Sequence, residues 1–162
     1  MKIRRAMPAD LNEIMEIYAE ARKFMVQTGN PNQWAVRAWP PTWLIQQDME
    51  EGKCYVCQDD GSLAAVFFYD YGENVEPSYG VIEGQWHKDG AYGVVHRIAA
   101  RGGRGAGKLC IRWACEQCGH LRIDTHEDNR IMQNVLEGLG FVYCGVIHIE
   151  YNNEPRLAYE KF

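Results

Sequence analysis

The chain has 162 residues, 46% of them hydrophobic and 12% aromatic, and a formal net charge of -5 at pH 7. That length and composition fit one globular domain, 1–162, with a proper core, and exclude a disordered chain. The acidic balance argues against sequence-independent binding to nucleic acid, and no apolar run approaches membrane-spanning length. The opening MKIRRAMPADLNEI lacks the apolar core of a signal peptide, so a cytoplasmic protein with no membrane partner is expected.

In chain order, residues 2–5 read as a short first strand. Pro8 suits a first helical position, and Leu11, Ile14, Ile17, Tyr18 and Ala21 recur at helical period. Residues 28–41, TGNPNQWAVRAWPP, form a loop rich in Pro, Asn and Trp. Thr42 opens a second helix that ends near Gly52. Two strands, 54–58 and 63–71, are joined by the turn Asp59-Asp60-Gly61. Residues 72–90 read as an irregular link. A strand over 92–100, rich in β-branched residues, breaks into a turn holding Gly102, Gly103, Gly105 and Gly107. Ala106, Leu109, Cys110, Trp113 and Ala114 then keep helical spacing. A strand over 121–125 precedes a helix whose apolar stripe is Met132, Val135, Leu136 and Leu139, with Asp128 or Asn129 able to cap it and Gly140 able to end it. A strand over 141–150, the turn Asn152-Asn153 and a last strand from Arg156 complete the chain. This order predicts an α/β (α+β mixed) fold, a mixed sheet with helices on its faces.

Six cysteines include two C-x-x-C pairs, Cys54 with Cys57 and Cys115 with Cys118. The first pair lies in strand sequence, where residues three apart face opposite sides, and the second lies within a helix. Reduced thiols and no metal site are expected.

Strand, glycine-rich turn and helix together aim backbone N–H groups at one spot at the positive end of a helix dipole. Arg101, Arg104 and Lys108 add local positive charge to an acidic chain, which points to a pyrophosphate-bearing ligand. A P-loop needs Ser or Thr after Gly107-Lys108 to hold Mg²⁺, and Leu109 stands there. The dinucleotide fingerprint fails because Lys108 and Cys110 occupy its last glycine. The shorter G-x-G of Gly105 and Gly107 resembles the acetyl-CoA loop of the GNAT N-acetyltransferase superfamily. The family's Gln or Arg at the first loop position is replaced by Gly102, for which Arg101 or Arg104 could compensate. Asn129, Gly140 and Phe141 match the Asn that opens the next helix and the Gly-Phe pair that closes it. Leu136 stands where many members carry a tyrosine that protonates the departing thiolate. The segments GNPNQW, EPSY, IEGQW, RIDTHEDN, YCGVI and RLAYEKF resemble one branch of the family.

The resemblance implies a mostly antiparallel mixed sheet with about four helices on its faces and a splay between the fourth and fifth strands, 92–100 and 121–125. Acetyl-CoA would lie in the splay as co-substrate. Its pantetheine would pair with Ile98, Ala99 and Ala100, and its pyrophosphate would sit on Gly103, Arg104, Gly105, Ala106, Gly107 and Lys108, with Asn129 facing the cofactor. The acetyl group would pass by direct attack to a primary amine of a small molecule or peptide. Candidate bases are His96, His126, Glu76 and Glu83, with His96 first because it lies on the signature strand and an imidazole can exchange a proton near neutral pH. Tyr143 or Cys144 could replace the missing tyrosine. Trp34, Trp39, Tyr79 and Trp86 would shape the acceptor pocket with Glu76, or seal a core or a homodimer interface. A non-catalytic acyl-CoA-binding protein of the same fold and a P-loop-like nucleotide-binding protein are the alternatives.

Overall fold

The structure, a computed structural model, describes all residues, 1–162. Strand β1 (Lys2–Arg5) leads through a 3-10 turn at Pro8–Asp10 into α1 (Leu11–Gln27). Asp10 ties this entry down: it accepts from the Met7 amide (2.7 Å) and from both terminal nitrogens of Arg4 (2.7 and 3.0 Å). Helix α2 (Thr42–Glu50) follows the long loop, and β2 (Cys54–Asp59) and β3 (Ser62–Gly72) form a hairpin. Next come β4 (Glu83–Gly84), β5 (Tyr92–Ala100), α3 (Ala106–Cys118), β6 (Leu121–Thr125), α4 (Arg130–Gly138), β7 (Val142–His148) and β8 (Pro155–Lys161).

The strands form one sheet in the order β1-β2-β3-β5-β6-β8-β7-β4. Only β5 and β6 run parallel; the other neighbours are antiparallel. The mixed, mostly antiparallel sheet expected from the element order is therefore present, with four α-helices on its faces. Side chains alternate between the two faces of each strand, and the core divides accordingly. Val95, Leu121, Ile123 and Tyr159 pack with α3 and α4. Val56, Val66 and Ala99 pack with α1 and α2 on the other side. Cys54 and Cys57 fall in these two different clusters, and all six cysteines are free thiols. Burial pushes the Cys54 and Cys144 thiols up to about 12, so both stay protonated at neutral pH. No helix is long and apolar enough to cross a membrane.

One expectation fails in the link 72–90. It contains a 3-10 turn at Pro77–Tyr79 and the short strand β4, which pairs with β7 at the far edge of the sheet. The pairing depends on two glycines at close approach, a signal with no hydrophobic periodicity. A Cβ on Gly84 would collide with the Cys144 carbonyl, and one on Gly145 with the Glu83 carbonyl.

Between β6 and β8 a charged cluster is sealed in. Glu160 is fully buried and accepts from the His87 amide (2.7 Å), with His120 Nε2 at 2.6 Å and Arg122 Nε at 3.3 Å. Trp86 and Tyr92 cover the Arg122 guanidinium, at 4.2 and 4.3 Å from their ring centroids. Burial raises the Glu160 carboxyl, but the His87 amide, His120 and Arg122 outweigh it and the net displacement is downward. A lowered folded pKa adds stability that is complete above the unfolded value, about 4.3, and is lost as pH falls through the folded one. Glu160→Gln leaves two buried nitrogen bases without their carboxylate. Urea denaturation at neutral pH is expected to show a loss of about 3–5 kcal/mol, with the difference from wild type narrowing as pH drops below about 4.

Candidate active site

Pairing between β5 and β6 is confined to Gly93 with Leu121 and Val94 with Arg122. Beyond these positions the strands separate, so the expected splay is present between 92–100 and 121–125. The cause lies in β5. Val66 faces Ala99 and Phe68 faces His96, so Arg97 and Ile98 together oppose Phe67 in a β-bulge. Arg97 takes a left-handed conformation, φ 49°. Its carbonyl accepts from the Tyr18 hydroxyl (2.6 Å), and its guanidinium bonds Asp48 through Nε (3.0 Å) and Nη2 (2.8 Å). Burial pushes the Asp48 carboxyl upward, and Arg97 opposes that shift.

The ladder also decides which main-chain groups face the opening. The Arg101 amide donates to the Ala64 carbonyl (2.9 Å), and the Gly93 amide donates to His120 toward β6 (2.7 Å). Hydrogen-bonded and non-hydrogen-bonded pairs alternate on each side of the bulge, which shifts the phase by one residue at Arg97 and Ile98. The polar groups of Val95, Ile98 and Ala100 therefore face the gap. Those of Ala99 face β3, which corrects its expected place among the gap-facing backbone partners; its methyl packs in the α1–α2 core.

At the end of β5, none of the amides over residues 102–108 donates to an acceptor within the protein. Gly103 and Gly105 hold positive φ (88° and 71°), which lets the chain turn sharply onto the N-terminus of α3 with open space around it. Ala106, Gly107 and Lys108 supply the first turn of that helix. Arg101 and Arg104, either of which was expected to make up for the side chain missing at Gly102, are both paired with carboxylates. Arg101 is held by Glu13 (2.7 Å), Glu20 (3.2 Å) and Glu16 (3.7 Å) of α1, and Arg104 pairs with Asp59. Lys108 is exposed.

A cavity of about 360 Å³ opens along the splay and out beneath the loops. Trp34, Glu76, His96, Ile98, Thr125 and Asn129 line it, joined by Trp39 and Tyr151, which stack at 5.9 Å. His96 Nε2 lies 3.0 Å from Glu76 Oε2, and its Nδ1 lies 3.9 Å from Asp124 Oδ2. Asp124 is fixed by the buried Tyr79 hydroxyl at 2.7 Å. Burial alone would raise the Glu76 carboxyl. The hydrogen bond and charge of His96, with the bonds from Ser78, overcome this and hold it at about 2. At neutral pH Glu76 is a carboxylate facing the His96 ring.

Several expected residues fall elsewhere. Trp86 is outside the cavity; its Nε1 bonds the Tyr79 carbonyl (2.9 Å) while its ring stacks on Arg122. Tyr79 is buried behind Asp124 and acts on the cavity through it. His126 accepts the Asp128 amide (3.0 Å) in the turn before α4, and Glu83 is exposed on β4. Tyr143 packs on Tyr159, and Cys144 lies against Glu160, so neither reaches the gap. Leu136 is fully buried in the α3–α4 core. Asn129 both caps and lines: Oδ1 accepts from Met132 (3.1 Å), and Nδ2 donates to Gln33 of the long loop (3.1 Å).

Sequence reasoning missed Asp124, Thr125 and the Arg97 bulge. Asp124 and Thr125 lie inside the RIDTHEDN segment, where alternation along a strand puts one on each face. The bulge has no sequence signal, since arginine rarely takes positive φ.

An open strand edge running into a bare helix terminus suits a ligand that is part amide chain and part phosphate. Comparison with solved structures defines the class as acetyltransferase. A GNAT-family acetyltransferase from Streptococcus agalactiae 2603 is 34% identical, with a TM-score of 0.88 over 99% of this chain and 94% of that one. A ribosomal-protein-alanine N-acetyltransferase from Brucella melitensis shares the fold at 16% identity (TM-score 0.65, 100% and 99% of the chains). An agmatine N-acetyltransferase mutant shares it at 10% identity (TM-score 0.62, 98% and 97%). No family model and no curated protein matches the chain. The chain belongs to the GNAT acetyltransferase family.

The capping role of Asn129 is tested by substitution. Asn129→Ala removes the cap and is expected to cost about 1 kcal/mol in thermal or urea unfolding. Asn129→Asp keeps an acceptor at the helix N-terminus and should stay within a few tenths of wild type.

Proposed function

We propose that the protein transfers the acetyl group of acetyl-CoA to a primary amine of a small molecule or peptide by direct attack within the splay. The observation that carries this reading is the continuity of the unpaired β5 edge with the unpaired amides of residues 102–108. The first suits the amides of pantetheine and the second a pyrophosphate.

In this reading the pyrophosphate rests on Gly103, Arg104, Gly105, Ala106, Gly107 and Lys108. The pantetheine arm pairs with Ile98 and Ala100 and passes Asn129. The bulge turns the Ile98 amide toward the thioester carbonyl, where it stabilises the oxyanion of the tetrahedral intermediate. Glu76 accepts from His96 Nε2–H and so leaves Nδ1 as the base, in the manner of a carboxylate that fixes an imidazole tautomer. Asp124, facing Nδ1, favours approach of a cationic amine, which releases one proton to solvent and attacks as the neutral amine; His96 takes the second proton, given up on attack. Trp34, Trp39 and Tyr151 supply an aromatic wall for the acceptor.

Calorimetry is expected to show acetyl-CoA binding without Mg²⁺. Binding of ATP that requires Mg²⁺, with no binding of CoA, would overturn the reading. Gly105→Asp should abolish CoA binding while the fold persists. It adds negative charge where phosphate approaches, and it strains a residue at positive φ. His96→Gln keeps a hydrogen-bonding group but removes the titration. With an amine acceptor, turnover should fall about 10²-fold, with CoA affinity near wild type. Unchanged turnover and an unchanged pH profile would assign His96 to structure.

A further inference from the structure

Thr125 carries a buried hydroxyl in the splay. It ends β6, is 1% exposed, and lines the cavity beside Ile98, Asn129 and Met132. Its Oγ1 is buried and has no hydrogen-bond partner. Buried hydroxyls are nearly always paired, and one left unpaired is destabilising relative to an apolar group of the same shape. Valine has that shape. Packing alone therefore does not account for a threonine here.

Its position relative to His96 is informative. Continuing the parallel register from Val94 and Arg122 sets Asp124 abreast of His96 and Thr125 abreast of the bulge. Asp124 and His96 share one face of the sheet, 3.9 Å apart. Thr125 lies on the other face with Ile123, and its cross-strand partner Leu157 packs against the α3–α4 core. A thioester held at the bulge would have the His96 pair on one side and the Thr125 hydroxyl on the other.

We propose that Thr125 Oγ–H is the hydrogen-bond donor to the sulfur leaving acetyl-CoA; this rests on the acetyl-CoA reading above. The amine nitrogen forms its bond to the carbonyl carbon, and its proton passes to His96. The C–S bond then breaks and its electron pair leaves with sulfur. Thr125 keeps its own proton and stabilises the thiolate through the hydrogen bond. Amide, CoA thiolate and one proton on His96 account for all atoms and charge.

The test needs no acceptor. CoA bound to wild type, Thr125→Ser and Thr125→Val is titrated with pH while ultraviolet absorbance reports the thiolate, and acetyl-CoA affinity is measured for each. The wild type and Thr125→Ser should form bound thiolate at lower pH than Thr125→Val, a displacement of about one unit, or tenfold in the ionisation constant. Acetyl-CoA affinity should agree within about twofold across the three, because a thioester sulfur is a weak acceptor. Thr125→Val should melt no lower than wild type, since it fills the same space without an unpaired hydroxyl. Coincident thiolate titrations in Thr125→Val and wild type, with acetyl-CoA still bound, would overturn this proposal alone. Failure of the wild type to bind either CoA or acetyl-CoA would overturn the acetyl-CoA reading and this proposal with it.

Discussion

The separation of β5 from β6 after two paired positions is the constraint on which the site depends. A parallel pair that continued would satisfy the inner edge of β5 and close the sheet. Instead, β5 spends its outer edge on β3 and bends at Arg97, while β6 is paired along its full length with β8. The main-chain groups of Ile98 and Ala100 are left facing a gap between two well-supported strands. Unpaired backbone inside a protein is costly unless a partner arrives, and the neighbouring cavity gives a partner room.

The same separation divides the chemistry by face. Alternation along β5 and β6 sends His96 and Asp124 to one side and Val95, Ile123 and Thr125 to the other. The α1–α2 side of the gap thus carries carboxylates, an imidazole and the aromatic loop residues. The α3–α4 side carries apolar packing and one hydroxyl. Glu76 arrives from outside the sheet, on the segment between β3 and β4, where its backbone is steadied by Tyr92 (3.3 Å) and its carboxylate by Ser78 (3.2 Å).

Much of the frame was legible in the sequence because it is local. β-branched runs, helical stripes and the glycine turn each lie within a short window, and β5, α3 and β6 fall where those signals set them. The gap between 92–100 and 121–125 came from family resemblance, since no property of either segment announces where their pairing stops. The site's chemistry was less legible because it is made across the chain. Glu76 and His96 were each visible as candidates, but they stand twenty residues apart, across a segment whose fold has no hydrophobic periodicity to announce it. Trp86 looked like a pocket residue because loop aromatics often are; the cation of Arg122, brought up from β6, claims its ring instead. The spacing of Cys54 and Cys57 does reveal two faces of a strand, because alternation is a property of any strand, whatever it packs against.

Arg97 has a consequence for how the protein comes to hold a site at all. Its carbonyl is fixed by a residue 79 positions earlier, and its guanidinium by one 49 positions earlier. Both partners lie on helices that leave the ribosome before β5 exists. Contacts of such sequence separation close late, after the entropy of the intervening loops has been overcome. The bulge is therefore a product of completed folding rather than of local preference, and a chain whose N-terminal helices have not docked has no means of keeping an arginine in a left-handed turn.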